Sequence, residues 1–203
     1  MLPPSQPRHY ALATLGLLGL GLLATLLDPW AYAHLAVPGI YDQGWGRIIR
    51  NIGYLPFWLL AALALYLSSQ SAWTRRGALL LALSPTLAGA VGEILKLLIR
   101  RGRPLANNGL YVFRPYTDRP FSTRDFGMPS GDVVVAFAAC VVLSYLWPRA
   151  RWLWMGLALA CAFGRVMVGA HFLSDVTVAA IVGWASAAVL SRLLPLPDHS
   201  AAT

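Results

Sequence analysis

Apolar residues run in long blocks along this chain, and polar residues gather between them. Six blocks stand out, at about Tyr10–Leu27, Tyr54–Ser69, Ala78–Ile99, Val133–Trp147, Trp152–Val168 and Val176–Leu194. None shows the period-two alternation of a half-buried strand, and Leu and Ala dominate. Backbone inside lipid must satisfy its own hydrogen bonds, so these blocks predict helices. Crossing a bilayer takes about 20 residues, with about 17 as the short end; the fourth and fifth blocks lie near or below that limit. The pattern predicts an all-α integral membrane bundle of six transmembrane helices, forming a single domain over residues 1–203. Trp147, Trp152 and Trp154 cluster where the fourth block meets the fifth, as interfacial aromatics do.

Six crossings place both termini on one side, together with Ser71–Gly77 and Pro148–Arg151. The opposite side receives Asp28–Gly53, Arg100–Gly131 and the segment from Arg165 to Asp175. Lys and Arg are more numerous on that opposite side. Setting aside Lys96, Arg103 and Arg165 for a binding site leaves 7 against 6, so charge does not fix orientation. Within Asp28–Gly53, Trp45–Ile52 mixes basic and apolar residues and reads equally as a surface helix or a plain connection. The first block has no clear small-residue cleavage site and reads as a retained span. The last residues, Pro197 to Thr203, read as a loose tail.

Composition agrees with a membrane chain. Of 203 residues, 58% are hydrophobic and 12% charged, with a mean hydropathy of +0.60. The net charge of +8 would suggest nucleic acid in a soluble protein. Here the arginines flank apolar blocks, which points to lipid headgroups and phosphorylated substrates and excludes nucleic acid as the expected partner. Cys140 and Cys161 lie in apolar runs without metal-ligand spacing and read as small buried residues.

Charges inside or beside apolar spans are costly and usually have a task. Three clusters fit that description, all on one predicted side. Lys96 and Arg103 are seven residues apart, so a continuing helix would put both on one face. Arg clamps two phosphate oxygens and Lys acts as a point charge, although snorkelling anchors would look the same. Met128-Pro129-Ser130-Gly131-Asp132 opens the fourth block. The Ser130 and Gly131 backbone at a helix start makes an anion cradle, or Ser130 or Asp132 serves as a simple N-cap. Arg165, His171 and Asp175 form the third. A carboxylate four residues after a histidine can fix its tautomer and free the other nitrogen for attack.

In order and spacing these clusters resemble the type 2 phosphatidic acid phosphatase superfamily. Its signature is Lys, six residues, Arg-Pro; then Pro-Ser-Gly-His; then Ser-Arg, five residues, His, three residues, Asp. Lys96 to Arg103-Pro104 matches completely, and Gly164-Arg165 to His171 and Asp175 matches except for Gly164 in place of Ser. The resemblance implies a membrane lipid phosphatase in which His171 attacks phosphorus, forms a phosphohistidine, and is oriented by Asp175. Lys96, Arg103, Arg165 and the Ser130–Gly131 backbone would hold the phosphate. It implies neither metal nor other cofactor.

One departure bears on chemistry, because Asp132 stands where the family has the His that protonates the leaving oxygen. Three accounts stay open. Asp132 is itself the acid, or the leaving group needs little protonation, or the site is impaired and the chain is a lipid-binding or transport descendant. A diphosphate or an anomeric sugar oxygen would suit the second account. Undecaprenyl diphosphate, lipid A and phosphatidylglycerophosphate are the expected substrate types, and phosphate transfer between lipids is the alternative reaction. Gly169-Ala-His-Phe-Leu-Ser-Asp-Val176 looks similar to bacterial members acting on envelope lipids, which implies a bacterial inner membrane with the site facing the periplasm. Glu93 is expected to pair with Lys96 or Arg100. Arg114, Arg119 and Arg124 read as loop charges near the headgroups, and His9, His34 and His199 as incidental.

Overall fold

The structure is a computed structural model that describes residues 7–37, 39–68 and 70–197. Pro38, Ser69, His199 and the rest of the expected tail beyond Pro197 lie outside the described residues, as does the side chain of His9. Among those described, the fold is all-α. Its helices are α1 (Pro7–Leu35), α2 (Gly44–Asn51), α3 (Leu55–Ser68), α4 (Ala72–Ile99), α5 (Gly131–Leu146), α6 (Arg151–Met167) and α7 (Leu173–Leu193). By length and hydropathy, Thr14–Leu35 within α1, α4 and α7 can each cross a membrane. Helices α2 and α3 meet at 63° and qualify as a fourth crossing only if taken together. Each of the six expected spans coincides with a helix, but α5 has 16 residues and α6 has 17.

The short α5 is the centre of the bundle, packed by α4, α6 and α7. Its sequence is rich in Val and Ala where the outer helices are rich in Leu, and most of its side chains are buried. In lipid, helices associate through close van der Waals packing, which small residues allow. A Cβ at Gly183 on α7 would lie 2.5 Å from the Val134 carbonyl oxygen, and one at Gly77 on α4 would lie 2.5 Å from Leu146. The large side chains Leu15, Leu18 and Leu26 on α1 and Phe57, Leu60 and Leu67 on α3 point outward. That inversion of the usual soluble pattern is what a lipid-facing surface requires.

Two boundaries differ from the sequence expectation, the end of α1 and the start of α4, while α4 ends where expected. Helix α1 continues beyond Leu27 through Asp28 and Pro29. Proline removes one N–H and so leaves the Thr25 carbonyl without its helical donor, and the Tyr111 hydroxyl approaches that oxygen at 3.3 Å. Helix α4 begins at Ala72, so Arg75 and Arg76 sit on its first turns and not in a connection. It ends at Ile99, because Arg100 takes a left-handed conformation with φ 58°. Lys96 and Arg103 therefore do not share a continuous helical face.

Arg100 also organises the long loop that follows. Its guanidinium donates to the carbonyls of Arg114, Pro115, Asp118 and Pro120 at 2.5–3.1 Å. The rings of Tyr116 and Phe126 flank it, with centroids 5.1 and 5.0 Å away. Isolated bridges join Arg101 to Phe113 and Gly102 to Phe126. Gly127 then donates its N–H to the Arg101 carbonyl at 2.7 Å. This chain of backbone bonds carries Gly127 under the loop between α6 and α7, where His171 lies.

Candidate active site

His171 sits just before α7 and is buried. Its Nδ1 lies 2.7 Å from the Gly127 carbonyl oxygen. A carbonyl only accepts, so this contact requires Nδ1 to carry the proton and leaves the lone pair on Nε2. Asp175 Oδ2 is farther from Nδ1, at 3.8 Å. The sequence reading gave Asp175 the task of fixing the tautomer; in the structure the nearer acceptor is a backbone carbonyl. Asp175 instead accepts from the Phe172 N–H at 2.8 Å, capping α7, and from Arg101 Nη2. Burial lowers the pKa of His171 below its ordinary value, and Arg165 and Arg103 act in the same direction against the pull of Asp175.

Arg165 is the hub of the opposite side. Nη2 lies 3.1 Å from His171 Nε2, Nη1 lies 3.1 Å from Asp132 Oδ2, and Nη1 donates to the Tyr41 hydroxyl at 3.2 Å. Asp132, on the first turn of α5, thus commits a carboxylate oxygen to Arg165. Lys96 is held by Glu93 at 2.5 Å, the first of the two expected partners. A Cβ on Gly131 would approach Lys96 Nζ to 3.2 Å, so glycine leaves the ammonium room beside the α5 N-terminus. Ser130 occupies the N-cap position but makes no side-chain cap. Its Oγ is buried without a protein partner, as are Nε of Arg103 and Nε of Arg165. Buried donors are normally satisfied, and unsatisfied ones at the α5 N-cap and on two cavity-lining arginines fit a site that takes an oxyanion.

A polar cavity of about 410 Å³ opens here, lined by Tyr41, Arg50, Arg103, Asp125, Arg165 and Ala170 among others. Burial and the neighbouring Arg165 charge lower the Arg103 pKa. Such crowding of cations favours an anionic ligand. The loop charges are less central: Arg114 pairs with Asp118 at 3.6 Å, and Arg124 with Asp125 at 3.8 Å. His34 makes its polar contact with the Trp30 carbonyl, away from these groups.

Gly164, which replaces a serine in the resembled signature, has a packing reason. A Cβ there would fall 2.9 Å from Ile49 Cγ2. The close seat of α2 on α6 uses the room that the missing side chain leaves. Sequence reasoning also missed four groups at this end of the bundle: Tyr41, Arg50, Asp28 and Arg101. The signal for Asp28 was present as a charge inside an apolar helix. Arg101 was hidden in a run of basic residues.

Comparison with known proteins identifies the family. The sequence model of the PAP2 superfamily matches residues 77–196, more than half of the chain. A lipid A 1-phosphatase of Rhizobium etli is 33% identical over 102 residues, covering 49% of this chain and 43% of the relative. Phosphatidylglycerophosphatase B of Escherichia coli K12 is 36% identical over 73 residues, covering 34% of this chain and 29% of the relative. The chain is thus matched to less than half the length of either protein. No solved structure matches.

Proposed function

Because this chain belongs to the PAP2 superfamily, we propose that it is a one-domain membrane enzyme that hydrolyses a phosphorylated lipid with His171 as nucleophile. The observation that carries this reading is the pair of contacts on the imidazole: Nδ1 donates to the Gly127 carbonyl, and Nε2 faces Arg165. The Nε2 lone pair forms a bond to phosphorus while the bond from phosphorus to the leaving oxygen breaks, and that oxygen keeps the electron pair. Water then attacks the phosphohistidine, the N–P bond breaks, its pair returns to Nε2, and inorganic phosphate leaves. Lys96, Arg103, Arg165, Ser130 and the backbone N–H groups at the start of α5 stabilise the charge on the transferred oxygens.

The ion pair between Asp132 and Arg165 favours one account of the missing family histidine. With its carboxylate committed to Arg165, Asp132 is poorly placed to serve the leaving oxygen, and the site suits a group that departs without a proton. Lipid diphosphates and anomeric phosphates meet that need better than alkyl monophosphates, and the lipid A 1-phosphatase relative supports the anomeric case. Helix α2 supports a lipid substrate, because Arg50 lines the polar cavity while Ile48 and Ile52 line an apolar groove of about 690 Å³. Headgroup and tails can divide across this one helix. The bacterial relatives support placement in an inner membrane; a site facing the periplasm is part of the proposal.

The test is phosphate release by detergent-purified protein, with a chelator present, from phosphatidylglycerophosphate, lipid A and undecaprenyl diphosphate, beside His171→Ala. Release that persists in the variant sinks the reading. Equal turnover of diphosphates and alkyl monophosphates removes the leaving-group account while keeping the nucleophile.

A further inference from the structure

Asp28 is a buried charge that the mechanism above does not use. It is fully buried on α1, within a stretch apolar enough to cross a membrane. A charge there persists only with good partners. Oδ1 accepts from the Ser174 N–H at 2.8 Å, and Oδ2 accepts from the Tyr111 hydroxyl at 2.8 Å and from the Ser174 hydroxyl. Arg101 Nη1 stands 4.0 Å from Oδ2. Arg101 is itself buried, its guanidinium carbon 5.1 Å from the ring centroids of both Tyr111 and Phe172. Its Nη2 donates to Ser174 Oγ at 2.8 Å and to Asp175 Oδ1. Asp28, Arg101 and Asp175 therefore form a buried row of alternating charge whose far end lies 3.8 Å from His171 Nδ1.

The signs in this row matter for phosphoryl transfer. Nδ1 keeps its proton when Nε2 bonds to phosphorus, so the ring becomes positive. Asp175 is the carboxylate facing that charge. With Arg101 alone beside it, the two would form a neutral pair and offer the ring little. We propose that Asp28 is a positioning residue for catalysis: it offsets Arg101, so that Asp175 keeps a net negative charge for the His171 imidazolium. The inference rests on the reading of His171 as nucleophile. The other charged groups facing His171 are Arg165 from α6 and Arg103 from the loop after α4, with Asp132 from α5 behind Arg165; none is altered in the test.

The test uses the full chain in detergent with farnesyl diphosphate as probe. It measures kcat, KM and the pH profile of the parent, Asp28→Asn, Arg101→Gln, the double variant and His171→Ala, with a thermal melt of each. Asp28→Asn leaves Arg101 to cancel Asp175. The expected result is a fall in kcat of about tenfold with an acid limb about one pH unit lower, and a nearly unchanged KM. Arg101→Gln adds net negative charge near the ring and moves the acid limb upward. The double variant restores a single net negative charge, so its rate and acid limb return toward those of the parent. A purely structural role predicts the reverse, with the double variant worse than either single one, and that result overturns the proposal. An unmoved acid limb in Asp28→Asn overturns it as well. If Asp28→Asn does not fold, the shift from Arg101→Gln to the double variant decides. Activity retained by His171→Ala contradicts the nucleophile itself, whereas an inactive His171→Ala with no recovery in the double variant contradicts only the role of Asp28.

Discussion

The two sides of His171 are built differently. On the Nδ1 side, Gly127, Asp175, Arg101, Ser174 and Asp28 are buried and tied to one another by hydrogen bonds, with Arg101 Nε the one atom of that group left without a partner among the described residues. On the Nε2 side, Arg165 and Arg103 line a cavity, and Ser130 Oγ, Arg103 Nε and Arg165 Nε have no protein partner. The first side holds the proposed nucleophile in one tautomer before any substrate arrives. The second keeps donors free for the oxygens that arrive with it. Preorganisation of this kind lowers a barrier because little reorientation is left for the reaction step.

Breaking the open side at its hub should have the largest effect. Arg165→Ala removes the group that touches His171, Asp132 and Tyr41, and phosphate release should fall by about 10² to 10³; steady-state kinetics on a lipid diphosphate checks it. A loss below tenfold would mean that Lys96 and Arg103 suffice. The same variant sharpens the comparison through pH. Burial, Arg165 and Arg103 hold His171 below its ordinary value. In the proposed reaction the neutral ring is the nucleophile, so activity is lost as pH falls through that lowered pKa, and the acid limb should lie below about 6.5. Removing the Arg165 cation raises the pKa, so the residual activity of Arg165→Ala should fail at a higher pH than that of the parent.

Asp132→Asn should act more modestly. It releases Arg165 from its 3.1 Å ion pair, leaving the guanidinium for phosphate. Inhibition by orthovanadate should tighten by about three- to tenfold, consistent with the usual strength of charge-assisted bonds. Unchanged inhibition would show that Asp132 does not compete with the ligand. The smallest expected effect is structural. Gly164→Ser drives a Cβ into Ile49 and should destabilise by about 1–3 kcal/mol, with a lower melting temperature. Adding Ile49→Ala should recover part of that loss.

The amino-acid sequence revealed much of the open side and little of the closed one. Lys96, Arg103, Ser130, Arg165 and His171 stand at spacings that a motif can record, and the apolar blocks located six of the seven helices. Asp28 lies far along the chain from His171, and the neighbouring Pro29 made it look like the end of a span. Its helix continues because Tyr111 and Ser174, both distant in sequence, meet the freed polar groups. The end of α4 at Ile99 matches the expected bound, but its cause is not local. Arg100 turns left-handed and spends its guanidinium on loop carbonyls, which no local pattern announces. In the sequence Gly164 is only a departure from serine, and the seat of Ile49 gives it a packing role.

The central claim is that His171 carries the phosphoryl group. Its most direct test is rapid quenching of the protein with a lipid diphosphate labelled in the terminal phosphate, followed by mapping of the label. The account predicts an acid-labile, alkali-stable label on His171 that forms before free phosphate appears and is absent from His171→Ala. Free phosphate released at full rate with no label on His171 would contradict it.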